Sequence, residues 1–188
     1  LDALKQANWQ ADSNSHDIAS QALAKIHHTE HLAESHLMTH FNTIQVLVNK
    51  GSVHDIDAAL CDDNFTKVNG EADKWLTKAV ETYQHGCPVS AALTVEMFKH
   101  ASKLSLEQVL YMEMNASLHC VNYPDFREGV RALLIDKDKS PKWSKTLDEC
   151  DARYIQSHLA SAFPNSEHPF ESWLGSDSLS AKLAKLAV

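Results

Sequence analysis

Asp125-Phe126-Arg127-Glu128-Gly129-Val130-Arg131-Ala132-Leu133-Leu134-Ile135 decides the fold class of this 188-residue chain. Phe126, Val130, Leu133 and Leu134 recur at i, i+4, i+7 and i+8, the spacing that lines up one face of an α-helix and not of a strand. Asp125 followed three residues later by Glu128 resembles a capping box, so the helix is predicted to start there. Immediately upstream, Ser105-Leu106-Glu107-Gln108 opens a long predicted helix that runs to about Val121. Before it, Pro88 sits where a first helical turn tolerates proline and leads into Leu93, Met97 and Phe98.

The same period extends outward. Ala72, Trp75, Leu76, Ala79, Val80 and Tyr83 predict a helix opened by Asn69 and ended by His85-Gly86, and Ser52 caps a short one to Leu60. From about Ala33 to Asn49, Leu37, Phe41, Ile44 and Val48 form a stripe, although the β-branched run from Thr43 to Val48 makes a strand the competing reading there. Ile18, Ala22 and Ile26 predict a helix from His16 to about His28, after a short amphipathic stretch at residues 1–9 and the turn-forming joint Ala11–Ser15. Beyond Lys137 lies an irregular segment bearing Pro141, then a helix near Ala152–Ala160 and a terminal helix from Leu179. The prediction is an all-α chain of seven to nine helices, one helical region over residues 1–188, without internal repeat.

Composition narrows the function. Folded compactly, a chain of 21.0 kDa exposes ~9,000 Å² of the ~30,000 Å² of its unfolded form, enough burial for a core without staples. A net charge of -8 is the wrong sign for a general nucleic-acid binder, and no apolar run is long enough for a membrane helix, so neither nucleic acid nor membrane is an expected partner. Cys61, Cys87, Cys120 and Cys150 are too widely spaced for a zinc knuckle or a redox pair and read as free thiols. Five dispersed glycines exclude the clustered-glycine loops that cradle phosphates or build oxyanion holes within this chain. The start Leu1-Asp2-Ala3-Leu4-Lys5 has no signal-peptide layout, and Leu in place of Met is expected of a trimmed chain or a fragment.

Three clusters could carry chemistry. Five of twelve histidines fall between residues 27 and 40, and His27-His28-Thr29-Glu30-His31 reads as an inverted zinc-protease motif, with His36 and His40 repeating the i, i+4 spacing. That chemistry needs a further carboxylate ligand and a mixed sheet; without them the run is a histidine-rich helix end, and no metal is expected. His119 and Cys120 point about 100° apart on a helix and cannot activate each other. Glu113 lies on the stripe Leu106, Val109, Leu110, Ser117 and Cys120, where a carboxylate needs a partner. Arg127 and Arg131 follow on the next helix, and a structural Glu113–Arg131 ion pair is predicted, with a catalytic Glu113 as the alternative. Finally, Lys137, Lys139, Lys142 and Lys145 surround Trp143, a basic spot suited to a phosphorylated ligand or, more plainly, a solvated loop.

Taken together, Leu104–Glu113 and Asp125–Trp143, with Cys87-Pro88-Val89-Ser90 before them, resemble the C-terminal part of the 3-hydroxyisobutyryl-CoA hydrolase family, within the crotonase (enoyl-CoA hydratase/isomerase) superfamily. The likeness is strong from about Asn69 to Trp143, and thin over residues 1–68 and over the loop and terminal helices of residues 144–188. It implies hydrolysis of 3-hydroxyisobutyryl-CoA in valine breakdown, with coenzyme A as part of the substrate and no other cofactor. In that family two backbone N–H groups stabilise the thioester oxyanion and acidic side chains promote hydrolysis. Those groups belong to an N-terminal spiral β/α half, expected outside these residues because no Gly-Gly pair occurs here; no catalytic residue is therefore assigned. The implied partners are the acyl-CoA, that N-terminal half of the same protein and other subunits of a homo-oligomer, and an apolar face should stand exposed for them. The resemblance also implies that Lys137, and next Lys139 and Lys142, meet the coenzyme A phosphates. It implies a mitochondrial matrix protein in a eukaryote and a cytoplasmic one in a bacterium. Activity as a hydratase or isomerase on another acyl-CoA, or a non-enzymatic helical interaction module, are the alternatives.

Overall fold

The computed structural model describes residues 2–7, 9, 14–25, 33–163 and 168–170, and the chain divides into two compact units, residues 1–44 and 45–188. In the first unit α1 (Asp2–Lys5) packs on α2 (Ser15–Ala24). The Asn14 side chain caps α2 by accepting the His16 N–H at 3.0 Å, and Ala22 is buried on its face. A single turn, α3 (His36–Thr39), precedes α4 (Phe41–Val48), which is helical throughout, so the β-branched run from Thr43 forms no strand. The stripe expected there is not a buried one: Leu37, Phe41 and Val48 are exposed. Ile26 and the His27–His31 motif lie outside the described residues.

After α4, whose last residues belong to the second unit, comes α5 (Val53–Leu60), capped as expected by Ser52, whose hydroxyl accepts the Asp55 N–H at 3.1 Å. Asn69 does not open a helix. Asn69 and Gly70 both take the left-handed conformation, with φ of 54° and 85°, and turn a two-residue antiparallel hairpin of β1 (Lys67–Val68) and β2 (Glu71–Ala72), pairing Lys67 with Ala72. That pair of dihedrals is the twist-compatible hairpin turn for which Asn-Gly is the favoured dipeptide. The helix starts five residues later as α6 (Lys74–Gln84), where the Asp73 carboxylate accepts the N–H groups of Trp75 and Leu76, both at 2.9 Å.

Helices α7 (Pro88–Ala101), α8 (Leu106–Asn122) and α10 (Ala152–Leu159) build the core. Val89, Leu93, Met112, Ala116, Ile155 and Leu159 are buried together there, Met112 fully. Ser105 and Gln108 form the reciprocal cap at the start of α8. Between α8 and α10 the chain makes α9 (Pro124–Val130), a π-helical turn (Arg131–Ile135) and an irregular segment to a 3₁₀ turn at Leu147–Glu149. Helical structure dominates, as an all-α chain requires; the terminal helix expected from Leu179 lies outside the described residues.

Candidate functional site

Where α6 ends, a single bend, His85-Gly86-Cys87, sends the chain into α7, and Cys87 takes the position before Pro88 in extended conformation. Facing that bend, Pro124 occupies the first turn of α9, so Asp125 is not the cap the sequence implied. Its carboxylate turns inward, 9% exposed, accepting the Ser144 N–H at 2.7 Å and the Cys87 thiol at 3.6 Å. Trp143 donates its indole N–H to the His85 carbonyl at 3.2 Å, and its ring lies 3.4 Å from where a side chain on Gly129 would begin. The contacts of Ser144 and Trp143 fold the segment after the π-turn back over α9 and toward the end of α6.

The result is a groove of about 870 Å³, a volume typical of small-molecule sites. One wall is the end of α6 with Cys87 and Ser90; the other is Phe126, the π-turn residues Leu133 and Leu134, and the segment carrying Lys139, Pro141 and Trp143. At its base lie Cys120, Tyr123 and His158. Phe126, Leu133, Leu134 and Ile135 are each more than half exposed, so the apolar face that decided the helix period does not enter the core; it borders the groove and the open surface. This is the uncovered apolar face the sequence led one to expect.

His158 is fully buried. Its Nδ1–H donates to the Tyr154 carbonyl at 3.0 Å, and its ring stacks on Tyr123 with centroids 4.5 Å apart. Burial disfavours the imidazolium and pushes its pKa down, so the ring is neutral near pH 7. Burial likewise pushes the Cys120 thiol up, the reverse of an activated nucleophile. His119, its ring tilted against His158 with centroids 6.0 Å apart, donates from Nε2 to the Ala160 carbonyl at 3.2 Å. Among the described residues, no group of three or more His, Cys, Asp or Glu side chains is placed to hold a metal ion.

The predicted Glu113–Arg131 ion pair is not formed. Glu113 is exposed, because the buried face of α8 runs through Met112, Asn115 and Ala116, one residue out of register with the stripe read from the sequence. Leu106, the first member of that stripe, is 70% exposed. Arg131 is taken instead by three carboxylates nearer in sequence. It grips Glu128 bidentately through Nε and Nη2 at 2.9 and 2.8 Å, and its Nη1 meets Asp136 at 2.6 Å and Asp138 at 2.7 Å. Glu128 also accepts the Lys142 N–H at 2.6 Å, and the two donors hold its carboxyl down at about 2. Arg131 beside Asp138 lowers that carboxyl as well.

Of the three lysines expected at a phosphate, Lys139 lines the groove, whereas Lys137 and Lys142 stand outside it; all three are exposed. Sequence reasoning missed Asp125 and Trp143. The signal for Trp143 was present, since an aromatic amid four lysines marks more than a solvated loop, but its partner at His85 is 58 residues away.

Comparison with known proteins gives the family. The family model described as enoyl-CoA hydratase/isomerase matches residues 1–159. The chain belongs to this family. Among its relatives, the mitochondrial 3-hydroxyisobutyryl-CoA hydrolase of Dictyostelium discoideum is 29% identical over 173 residues, covering 90% of this chain and 43% of that protein. The enzyme of the same name from Danio rerio is 37% identical over 119 residues, covering 63% of this chain and 29% of its relative. The chain thus spans less than half the length of either. A solved structure, an enoyl-CoA hydratase from Rhodobacter sphaeroides 2.4.1, superposes with a TM-score of 0.58 at 23% identity, over 78% of this chain and 42% of that one, a likeness of fold. No described helix is long and apolar enough to cross a membrane.

Proposed function

We propose that this chain is the helical C-terminal part of an acyl-CoA thioester hydrolase acting on 3-hydroxyisobutyryl-CoA in valine breakdown. The observation that carries the reading is the apolar groove with Lys139 on its wall, in a chain whose relatives bear that enzyme's name. An elongated ligand with an apolar arm and a polyanionic end suits such a groove: the arm against Leu133, Leu134 and Trp143, a phosphate against Lys139. Lys137 and Lys142 add long-range attraction from outside the groove.

In this reading the oxyanion hole and the acids that promote hydrolysis lie in a preceding β/α half of the same polypeptide. That half covers the exposed apolar face beyond the ligand, around Ile135, further subunits of a homo-oligomer extend the contact, and the helical part alone is inactive. The enzyme needs no cofactor beyond the coenzyme A of its substrate, and works in the mitochondrial matrix of a eukaryote or the cytoplasm of a bacterium.

The test is to supply the complete polypeptide with 3-hydroxyisobutyryl-CoA and follow free thiol. Thiol release is the expected result. Hydration of an enoyl-CoA without thiol release would make it a hydratase, and no turnover of any acyl-CoA would leave a non-enzymatic helical module.

A further inference from the structure

The segment that brings Lys139 to the groove is strained. Lys137 and Lys139 both occupy the left-handed region, with φ of 56° and 54°, two lysines within three residues in a conformation that costs a side chain with a Cβ. Such strain persists only where the surroundings over-determine it, and it concentrates at ligand clamps. Here the surroundings are explicit. The π-turn ends on the Asp136 N–H bonded to the Arg131 carbonyl at 2.8 Å, and the Lys139 N–H returns to the Ala132 carbonyl at 3.0 Å. Asp138 accepts the Ser140 N–H at 2.9 Å and Arg131 at 2.7 Å, while Glu128 joins Arg131 to the Lys142 N–H. One guanidinium therefore ties both ends and the middle of the segment to the turn that precedes it. Arg131 also reaches the Ser140 carbonyl at 3.3 Å.

The charges point the same way. Lys137, Lys139 and Lys142 are matched in number by three carboxylates close in sequence, Glu128, Asp136 and Asp138, which would balance their charge without Arg131. With Arg131 consuming the carboxylates as hydrogen-bond acceptors, the lysines remain available, and among the described residues none of the three makes an ion pair.

We infer that Arg131 is a positioning residue for anion binding: it holds the strained segment Asp136–Lys142 so that Lys139 meets a phosphate of coenzyme A. The inference rests on the acyl-CoA reading above and adds to it a residue that touches no substrate. A lysine at 131 would keep the charge but lose the planar fork that grips Glu128 and reaches both aspartates.

The experiment compares KM for 3-hydroxyisobutyryl-CoA with KM for the same acyl group on pantetheine, which lacks the phosphates recognised here, using the complete polypeptide. In the unaltered protein the coenzyme A ester has the lower KM. Arg131→Lys should shrink that advantage by roughly threefold, the scale of one solvent-facing ion pair. Asp138→Asn is the sharper variant, because it adds a net positive charge while cutting one arm of the clamp. Positioning predicts that it too shrinks the advantage; a purely electrostatic role predicts that it enlarges it. An advantage that stays constant in Arg131→Lys, or grows in Asp138→Asn, overturns the inference and leaves the acyl-CoA reading intact. Lys139→Ala separates the two further: if it leaves the advantage at its original size, the phosphate contact itself is wrong. An unaltered protein that turns over neither ester sinks the acyl-CoA reading and this inference with it. Because Asp138→Asn is nearly isosteric, the sign of its effect decides even if Arg131→Lys fails to fold.

Discussion

Two neighbouring parts of the second unit use the same kind of sequence in opposite ways. In α7, α8 and α10 the apolar residues at helical spacing face one another, and Met112, Leu93, Ile155 and Leu159 leave water almost completely. In α9, the π-turn and the segment after it, residues at equally regular spacing, Phe126, Leu133 and Leu134, stay more than half exposed. What holds this second part is polar: the Arg131 fork, the inward Asp125 carboxylate and the Trp143 indole on the His85 carbonyl. The difference teaches that periodicity reports a helix, not which side of it is covered. A polar clamp frees an apolar face for a ligand or another part of a protein, whereas an apolar core consumes it.

The comparison is most easily broken at Met112. Truncation to Ala removes a fully buried side chain from the α7–α8–α10 core and should cost about 3 kcal/mol in urea unfolding; a loss under about 1 kcal/mol would mean that the core is not the principal source of stability. Asp125→Ala comes next. It leaves the Ser144 N–H without its acceptor and should cost about 1–2 kcal/mol, chiefly by loosening the segment that carries Lys139. If Asp125→Asn restores most of the loss, the hydrogen bond is what matters.

Acid should strip the two parts in sequence. Burial holds the folded-state pKa of His158 below its unfolded value, so its contribution is complete above about pH 6.5 and is lost as pH falls from there toward the lower folded-state value. Glu128 is also depressed, to about 2, so its contribution is present above the ordinary carboxylate range, about 4.5, and is lost as pH falls from there toward about 2. Urea midpoints across that range should therefore fall in two steps, with His158→Phe removing the upper and Glu128→Gln the lower. A single step unaltered by either variant would refute the assignment. The smallest effect belongs to Leu134→Ser, which exchanges an exposed side chain and should change the stability of this chain by no more than about 0.5 kcal/mol. A large loss would show that the face is covered within the chain.

Much of this architecture could be read before any coordinates. Ser52 and Ser105 announce their helices because a capping hydroxyl and its N–H partner lie three residues apart, wholly within local sequence. The Asn69-Gly70 pair marks the hairpin too, but the apolar period of Trp75 and Leu76 continues backward past Asp73, the true cap, and masks it. Glu113 failed for a different reason: on a 17-residue helix with apolar residues on several sides, two stripes one residue apart fit almost equally, and only the packing of α10 selects Met112 over Glu113. The site was the least legible part. The lysines of the Lys137–Lys145 segment stood out as a basic spot, but which of them meets the groove depends on the Asp125–Ser144 and Trp143–His85 contacts, 19 and 58 residues apart. Arg131 had four acidic neighbours within seven residues, Asp125, Glu128, Asp136 and Asp138, and composition alone could not choose among them.

The central claim is that the clamped segment and its groove receive coenzyme A. Amide hydrogen exchange on the complete polypeptide, with and without coenzyme A, tests it most directly. The account predicts that bound coenzyme A slows exchange over Asp136–Trp143 and around the His85–Ser90 bend, while the amides flanking Met112 exchange as before. Binding that leaves both of those segments unchanged and protects only residues elsewhere would contradict it.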